Sequence, residues 1–187
     1  HGRDHATAVK LGLDKDGKFV GLQVHTTANL GAYLSTFASS VPTILYATLL
    51  AGQYTTPKIW CAVDAMFTNT APVDAYRGAG RPEATYVVER IVETAARELG
   101  IDPAELRRRN FIQPAQMPYK NAMSMVYDSG QFEHVMNQGL ALADWAGFAA
   151  REAASKQRGK WRGLGIATFL EWTGGNVFEE RVTVTVL

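Results

Sequence analysis

What most constrains the fold of this chain is the run from Arg81 to Gly100, where Ala84, Val87, Val88, Ile91, Val92, Ala95, Ala96 and Leu99 recur at three- and four-residue spacing. That period is one face of an α-helix. Pro82 suits the first helical position, where its missing N–H costs nothing, Arg90 and Arg97 lie toward the negative end of the helix dipole, and Gly100 stops the run. The apolar stripe is core, so the helix needs another layer to lie on. Immediately ahead of it stands Asp74-Ala75-Tyr76-Arg77-Gly78-Ala79-Gly80-Arg81. Gly78 and Gly80 permit positive φ and close approach to the backbone. The free N–H groups of the helix start point into this loop, and Arg77 and Arg81 flank it, so a phosphate or another oxyanion would be stabilised there.

Two blander or different readings stand beside that one. The loop is equally the pattern of a plain turn whose arginines are surface charges. A nucleotide-binding module would use the glycines to cradle phosphates, but Glu83 occupies the place of the last glycine in the dinucleotide fingerprint Gly-x-Gly-x-x-Gly.

With 187 residues, 47% of them hydrophobic, the chain can bury a real core and falls in the range of one domain or a large piece of one. Its 19 basic and 18 acidic residues are interspersed, and even Arg107-Arg108-Arg109 follows Glu105 on a short helix, which argues against nucleic acid as a partner. The single cysteine, Cys61, excludes an internal disulfide and a Cys-ligated iron–sulfur cluster within these residues, and reads as a small hydrophobe on a strand. No apolar run approaches the ~18 residues that cross a bilayer. His1-Gly2-Arg3-Asp4-His5 is not a signal peptide, so a soluble, cytoplasmic protein without membrane insertion is expected. The chain lacks an initiator Met and ends inside the alternating run Val182 to Leu187, so residues 1–187 are expected to be one internal fragment of a longer polypeptide.

Alternation from Ala6 to Leu13 and from Lys18 to Thr27, with Asp14-Lys15-Asp16-Gly17 between, predicts a hairpin. Pro42 opens a short apolar helix through about Leu50, closed by Gly52, and Ile59 to Phe67 reads as a strand. A second helix begins after Asp102, with Pro103 first and Glu105 completing a capping box. A third, starting near Asp128 with Gln131 as the capping partner, carries Phe132, Val135, Met136, Leu140 and Ala143 and continues into the charged stretch Arg151 to Arg158. Strands are predicted at Trp161 to Leu170 and Phe178 to Leu187. Strands flanking a central block of helices, with no βαβ rhythm, predict an α+β fold.

No HExxH, nucleophile elbow or P-loop is present, and His1, His5, His25 and His134 show no metal-ligand spacing. His25 reads as a surface or half-buried residue. Glu171, Glu179 and Glu180 read as strand-edge and loop charges rather than general bases.

Ala75-Tyr76-Arg77-Gly78 resembles the Ala-Tyr/Phe-Arg-Gly signature of the molybdenum hydroxylase large subunit, the family of xanthine dehydrogenases, aldehyde oxidoreductases and molybdenum carbon monoxide dehydrogenases. Thr56-Pro57-Lys58-Ile59, Thr68-Asn69-Thr70-Ala71-Pro72, residues 101–111, Tyr127-Asp128-Ser129-Gly130 and Arg162-Gly163-Leu164-Gly165-Ile166-Ala167 extend the likeness over the whole chain in order and spacing. The resemblance implies part of a molybdopterin-binding domain, with the cofactor possibly in its cytosine dinucleotide form. It implies no catalytic residue within this fragment, because the family's proton-abstracting glutamate lies farther toward the C-terminus. The isolated fragment is therefore expected to be inactive. It implies cofactor contacts from Tyr76, Arg77, Gly78, Gly80 and Arg81, the Arg77 backbone near molybdenum without side-chain ligation, and Ala79 and Leu45 in the substrate pocket. Hydroxylation of an aldehyde or N-heterocyclic carbon, with water as oxygen source, is the implied reaction on a small-molecule substrate. Electrons would pass to a 2Fe-2S subunit and an FAD subunit, in a dimer of heterotrimers. True carbon monoxide dehydrogenases place a copper-ligating cysteine where Gly78 stands. Xanthine-type members carry an aromatic at the position of Ala79 and an arginine near that of Leu45. Neither feature is present, which points to less polar substrates.

Overall fold

The computed structural model describes residues 2–171 and 181–186. His1, Phe178, Glu179, Glu180 and Leu187 lie outside the described residues, and with them part of the last predicted strand. Three strands, β1 (His5–Leu13), β2 (Phe19–Gly31) and β3 (Ile59–Phe67), form one sheet in the order β1-β2-β3. β1 and β2 are the expected hairpin, antiparallel with Val9 opposite Val24 and Leu11 opposite Leu22. Asp14 organises the turn: its Oδ1 accepts the N–H groups of Asp16 and Lys18, both at 2.9 Å, and Gly17 takes φ +77°. β3 joins β2 in parallel, with Cys61 opposite Val24, so the sheet is mixed. Leu22, Val24, Thr26, Ala28 and Leu30 alternate inward along β2 and are buried.

Between β2 and β3 the chain crosses over through a π-helical turn, Val41–Leu45, in place of the regular helix read from Pro42. The Leu45 N–H donates to Ser40 O, five residues back, at 3.1 Å. Helix α1 (Arg81–Leu99) packs against β1 and α2 and buries Ala84, Val87, Val88, Val92, Ala95 and Ala96 in the common core. Each fully buried Val contributes about 1.5–3 kcal/mol. Of the predicted stripe, Ile91 is half-buried and Leu99 is exposed. Gly100 ends the helix at φ +64°, its N–H bonded to Arg97 O and that of Ile101 to Ala96 O, a Schellman arrangement.

Helix α2 (Pro103–Asn110) is capped by Asp102, whose carboxylate accepts from the Ala104 and Glu105 N–H groups. Only half of the predicted capping box forms, because Glu105 is drawn to Arg108 and Arg109 instead of back to the cap. A short hairpin, β4 (Tyr119–Lys120) and β5 (Val126–Tyr127), precedes α3 (Phe132–Leu142). α3 starts later than Asp128, without a side-chain cap from Gln131; Phe132 and Met136 face the core while Val135 and Ala143 are exposed. Nor does it continue into the charged stretch. Asp144 adopts φ +47°, the Trp145 N–H turns back to Leu140 O, and a separate helix α4 (Phe148–Gln157) follows.

The α+β class holds, but the strand predicted from Trp161 to Leu170 is not formed. The period-two pattern is real, since Leu164, Ile166, Thr168 and Leu170 are half-buried between exposed neighbours. No strand lies beside it among the described residues. Side chains meet its backbone instead: Gln53 donates to Phe169 O, Arg107 donates to Ile166 O, and Glu89 accepts from the Thr168 N–H. Residues 181–186 are exposed and likewise in no ladder.

Candidate functional site

The predicted loop projects at the head of α1. Its entrance is fixed by Asp74, whose carboxylate accepts from the Ala75 N–H at 2.7 Å and from the Ser35 hydroxyl, and these bonds hold its carboxyl below the usual range. Gly78, Ala79 and Gly80 have φ of +97°, +34° and +88°, three left-handed residues in succession. The Ala79 N–H closes onto Tyr76 O at 2.8 Å and the Arg81 N–H onto Gly78 O at 3.3 Å. The N–H groups of Arg77, Gly78 and Gly80 meet no acceptor among the described residues. Tyr76 and Arg77 are exposed, Gly78 and Ala79 half-buried and Gly80 buried, so the bend is not covered by its own side chains.

The glycines answer to internal packing. A Cβ on Gly78 would stand 2.7 Å from Pro82 Cγ, and one on Gly80 would stand 2.6 Å from the Leu45 carbonyl carbon and 2.7 Å from Tyr46 N. Leu45 and Ala79 therefore flank a single corner, where the π-helical turn abuts the loop. Tyr46 carries that corner to the sheet: buried, it shares a 3.0 Å hydrogen bond with the Thr26 hydroxyl on β2. Burial pushes its phenol above the ordinary value.

The two loop arginines differ. The Arg77 side chain is exposed and makes no hydrogen bond or ion pair among the described residues. Arg81 folds back, donating to Gly78 O at 3.1 Å and pairing with Glu171 at 2.6 Å, so the negative charge it neutralises here is Glu171.

Two contributors were not singled out in the sequence. Arg3 donates from Nη2 to Arg77 O at 2.6 Å, lies 5.0 Å above the Tyr76 ring, and approaches the buried Glu83 carboxylate at 3.5 Å. His5 stacks edge-on against Tyr46 with centroids 5.5 Å apart, and burial holds its imidazole below the ordinary value against the pull of Glu83 and Asp4. No local signal could have found the Arg3 contact, because Arg3 and Arg77 are 74 residues apart.

A cleft of 540 Å³ between β1 and the first turns of α1 is lined by His5, Thr7, Glu83, Tyr86 and Arg90 among others. A second, of 660 Å³, runs along α1 beneath Leu164, Ile166 and Phe169. Arg77, Gly78 and Ala79 line neither cleft, whereas Pro82 lines both. His25 is a surface residue paired with Asp64 on β3 at 2.7 Å, as its strand position suggested. Cys61 is half-buried on β3, which raises its thiol pKa. Among the described residues no group of three or more His, Cys, Asp or Glu is placed to hold a metal, and no helix is long and apolar enough to cross a membrane. The loop also departs from a dinucleotide turn, since residues 68–80 separate β3 from α1.

The chain belongs to the molybdopterin cofactor-binding domain family, which its residues 1–111 match from β1 through α2. The resemblance drawn from the loop and its flanking segments is thereby borne out. It is 35% identical to the carbon monoxide dehydrogenase large chain of Hydrogenophaga pseudoflava over 180 residues, 92% of this chain and 22% of that one. Its identity to the 6-hydroxypseudooxynicotine dehydrogenase complex subunit gamma of Paenarthrobacter nicotinovorans is 30% over 186 residues, 96% of this chain and 23% of that one. Among solved structures, quinoline 2-oxidoreductase from Pseudomonas putida 86 superposes with a TM-score of 0.80 at 28% identity, covering 85% of this chain and 20% of that one. The chain thus spans less than a quarter of these relatives.

Proposed function

We propose that this chain contributes one wall of the cofactor site in a molybdenum hydroxylase large subunit, and that the Tyr76–Arg81 loop holds the molybdenum cofactor. The observation that carries this is the set of backbone N–H groups at Arg77, Gly78 and Gly80, which meet no acceptor among the described residues and stand just ahead of the positive end of α1. That donor set fits an anionic, acceptor-rich group such as molybdopterin, in the simple or the cytosine dinucleotide form. When bound, the cofactor would supply the two-electron redox chemistry. The chain's own residues would bind and orient it: backbone N–H groups as donors, Arg77 as cation, and the Leu45–Ala79 corner as a small apolar face toward substrate. Residues outside this chain would complete the cavity and provide the base.

The reaction we infer is hydroxylation of an N-heterocyclic or aldehyde carbon with oxygen from water. Electrons would leave to 2Fe-2S and FAD partners in a cytoplasmic dimer of heterotrimers. Support comes from the likeness to quinoline 2-oxidoreductase, and from Gly78, which offers no thiol where a copper site would need one. Ala79 and Leu45 present neither an aromatic sandwich nor a cation, which disfavours a polar purine. Steady-state turnover of the full-length assembly on quinoline-type compounds, aromatic aldehydes, xanthine and carbon monoxide tests this. Either of the first two is expected to lead; efficient oxidation of xanthine or carbon monoxide would reject the substrate class. Full molybdenum content in Arg77→Ala would reject the site.

A further inference from the structure

We propose that Arg3 is a positioning residue for the Tyr76–Gly80 loop, holding the Arg77–Gly78 peptide in the orientation that turns its N–H outward. Arg3 Nη2 donates to Arg77 O at 2.6 Å. A trans peptide is planar, with its C=O and N–H on opposite sides, so fixing the Arg77 oxygen toward Arg3 aims the Gly78 N–H away from it. Gly78, at φ +97° and without a side chain, does little to oppose rotation of that peptide. A flipped peptide would present a carbonyl oxygen, an acceptor, where an anion requires a donor. Arg3 therefore decides the sign of the surface that the loop offers.

Arg3 is itself tied down. It lies 5.0 Å over the Tyr76 ring and 3.5 Å from Glu83 Oε1, and adopts φ +59°, a conformation uncommon for residues bearing a Cβ. Gly2 packs so closely that a Cβ there would stand 2.7 Å from Tyr76 Cβ. The Glu83 side chain is 7% exposed and its Oε2 has no hydrogen-bond partner, so this buried carboxylate depends on the Arg3 cation beside it. The guanidinium thus couples a buried charge at the start of α1 to one peptide plane in the loop.

The inference rests on the loop being the cofactor site, and goes beyond it by naming what sets the direction of its donor. In the full-length protein isolated with its cofactor, wild type, Arg3→Gln, Arg3→Lys and Arg77→Ala are compared. The readouts are the rate of molybdenum and pterin loss after dilution, amide hydrogen exchange over residues 74–82, and Tm. Arg3→Gln is expected to lose cofactor on the order of tenfold faster than wild type, with faster exchange in the loop and the first turn of α1 and a lowered Tm, because Glu83 loses its cation. Arg3→Lys, which keeps a charged donor, should stay within about threefold of wild type. If Arg3→Gln keeps its cofactor and loop protection while Arg77→Ala loses cofactor, the role of Arg3 is overturned and the loop site stands. If both keep cofactor, the site reading falls and takes this inference with it. Should Arg3→Gln fail to fold, the double variant Arg3→Gln/Glu83→Gln, which leaves no buried carboxylate without its cation, decides: faster cofactor loss than in Glu83→Gln alone supports the role, and equal retention overturns it.

Discussion

Arg107 has no exposed surface, and its Nε lies 2.9 Å from the Oε2 of Glu89, itself buried on α1. The pair joins four segments: α1, α2, the turn at Tyr54 and residues 166–168. Glu89 also accepts from the Tyr54 hydroxyl at 2.6 Å and from the Thr168 N–H at 2.8 Å, while Arg107 donates to Pro103 O and Ile166 O. Removing one partner strands a buried charge. Arg107→Ala should therefore cost about 3–5 kcal/mol in denaturant unfolding. Proteolysis should also show residues 164–171 released from α1. A loss as small as that of an exposed residue such as Arg97 would contradict the role given to the pair.

The same cluster sets a dependence on alkali. Burial, then the neighbouring Glu89 charge, push the Tyr54 phenol well above its ordinary value, and burial raises those of Tyr46 and Tyr127. In the unfolded chain these phenols ionise near pH ~10. Because the folded values are higher, the stabilising contribution is complete below that pH and is lost as pH rises from there toward the folded values. Ultraviolet titration should find the phenolate signal of these three tyrosines appearing only with unfolding. Tyr54→Phe should flatten the alkaline decline. Ionisation of Tyr46, Tyr54 and Tyr127 near the ordinary value, with the fold intact, would be inconsistent with this.

Asn110 predicts a tie between distant elements. Fully buried at the end of α2, it donates to Gly17 O and Leu106 O and accepts the Phe19 N–H at 2.8 Å, pinning the β1–β2 turn onto the helix. Asn110→Ala leaves those groups without partners and should cost about 2–4 kcal/mol. Asn110→Asp should be no milder, since a carboxylate cannot donate to the two carbonyls. Thermal unfolding of both variants checks this; Asn110→Asp at wild-type stability would refute the assigned bonds.

Local chemistry was legible in the sequence, and distant partnership was not. α1 could be read from end to end because its period, Pro82 and Gly100 are contiguous signals, and the hairpin because Asp14 and Gly17 sit inside its turn. Arg107 looked like part of a charge run, although it lies three residues after Ala104 and three before Asn110, on the buried side of α2. The alternation from Leu164 to Leu170 reads as part of a strand, and that strand does not form: one side of the segment is half-buried, but period two does not say whether a ladder or a helix covers it. The α3 break at Asp144 had no glycine at the left-handed position to announce it. In the loop, the positive φ of Gly78 and Gly80 followed from residue type. What holds the loop, Arg3 from one side and Leu45–Tyr46 from the other, is set by chain crossings that no local pattern encodes.

The three left-handed residues of the loop should respond differently to one methyl group. Ala79 already carries a Cβ at φ +34°, a region that costs an L-residue about 1–2 kcal/mol. Ala79→Gly relieves that strain but frees the unfolded chain by about 0.4–1 kcal/mol, so stability should hold or rise slightly. Gly80→Ala meets two penalties at once, φ +88° and a Cβ 2.6 Å from the Leu45 carbonyl carbon, where backbone faces backbone and no flexible side chain can give way. A loss of about 2–4 kcal/mol follows. Gly78→Ala lies between, because its obstacle is the Pro82 ring edge rather than main chain. The order Ala79→Gly, Gly78→Ala, Gly80→Ala in falling stability is read directly from chemical denaturation. If Gly80→Ala proves the mildest, the loop does not rest on the π-helical turn as described, and the shared corner of Leu45 and Ala79 dissolves with it.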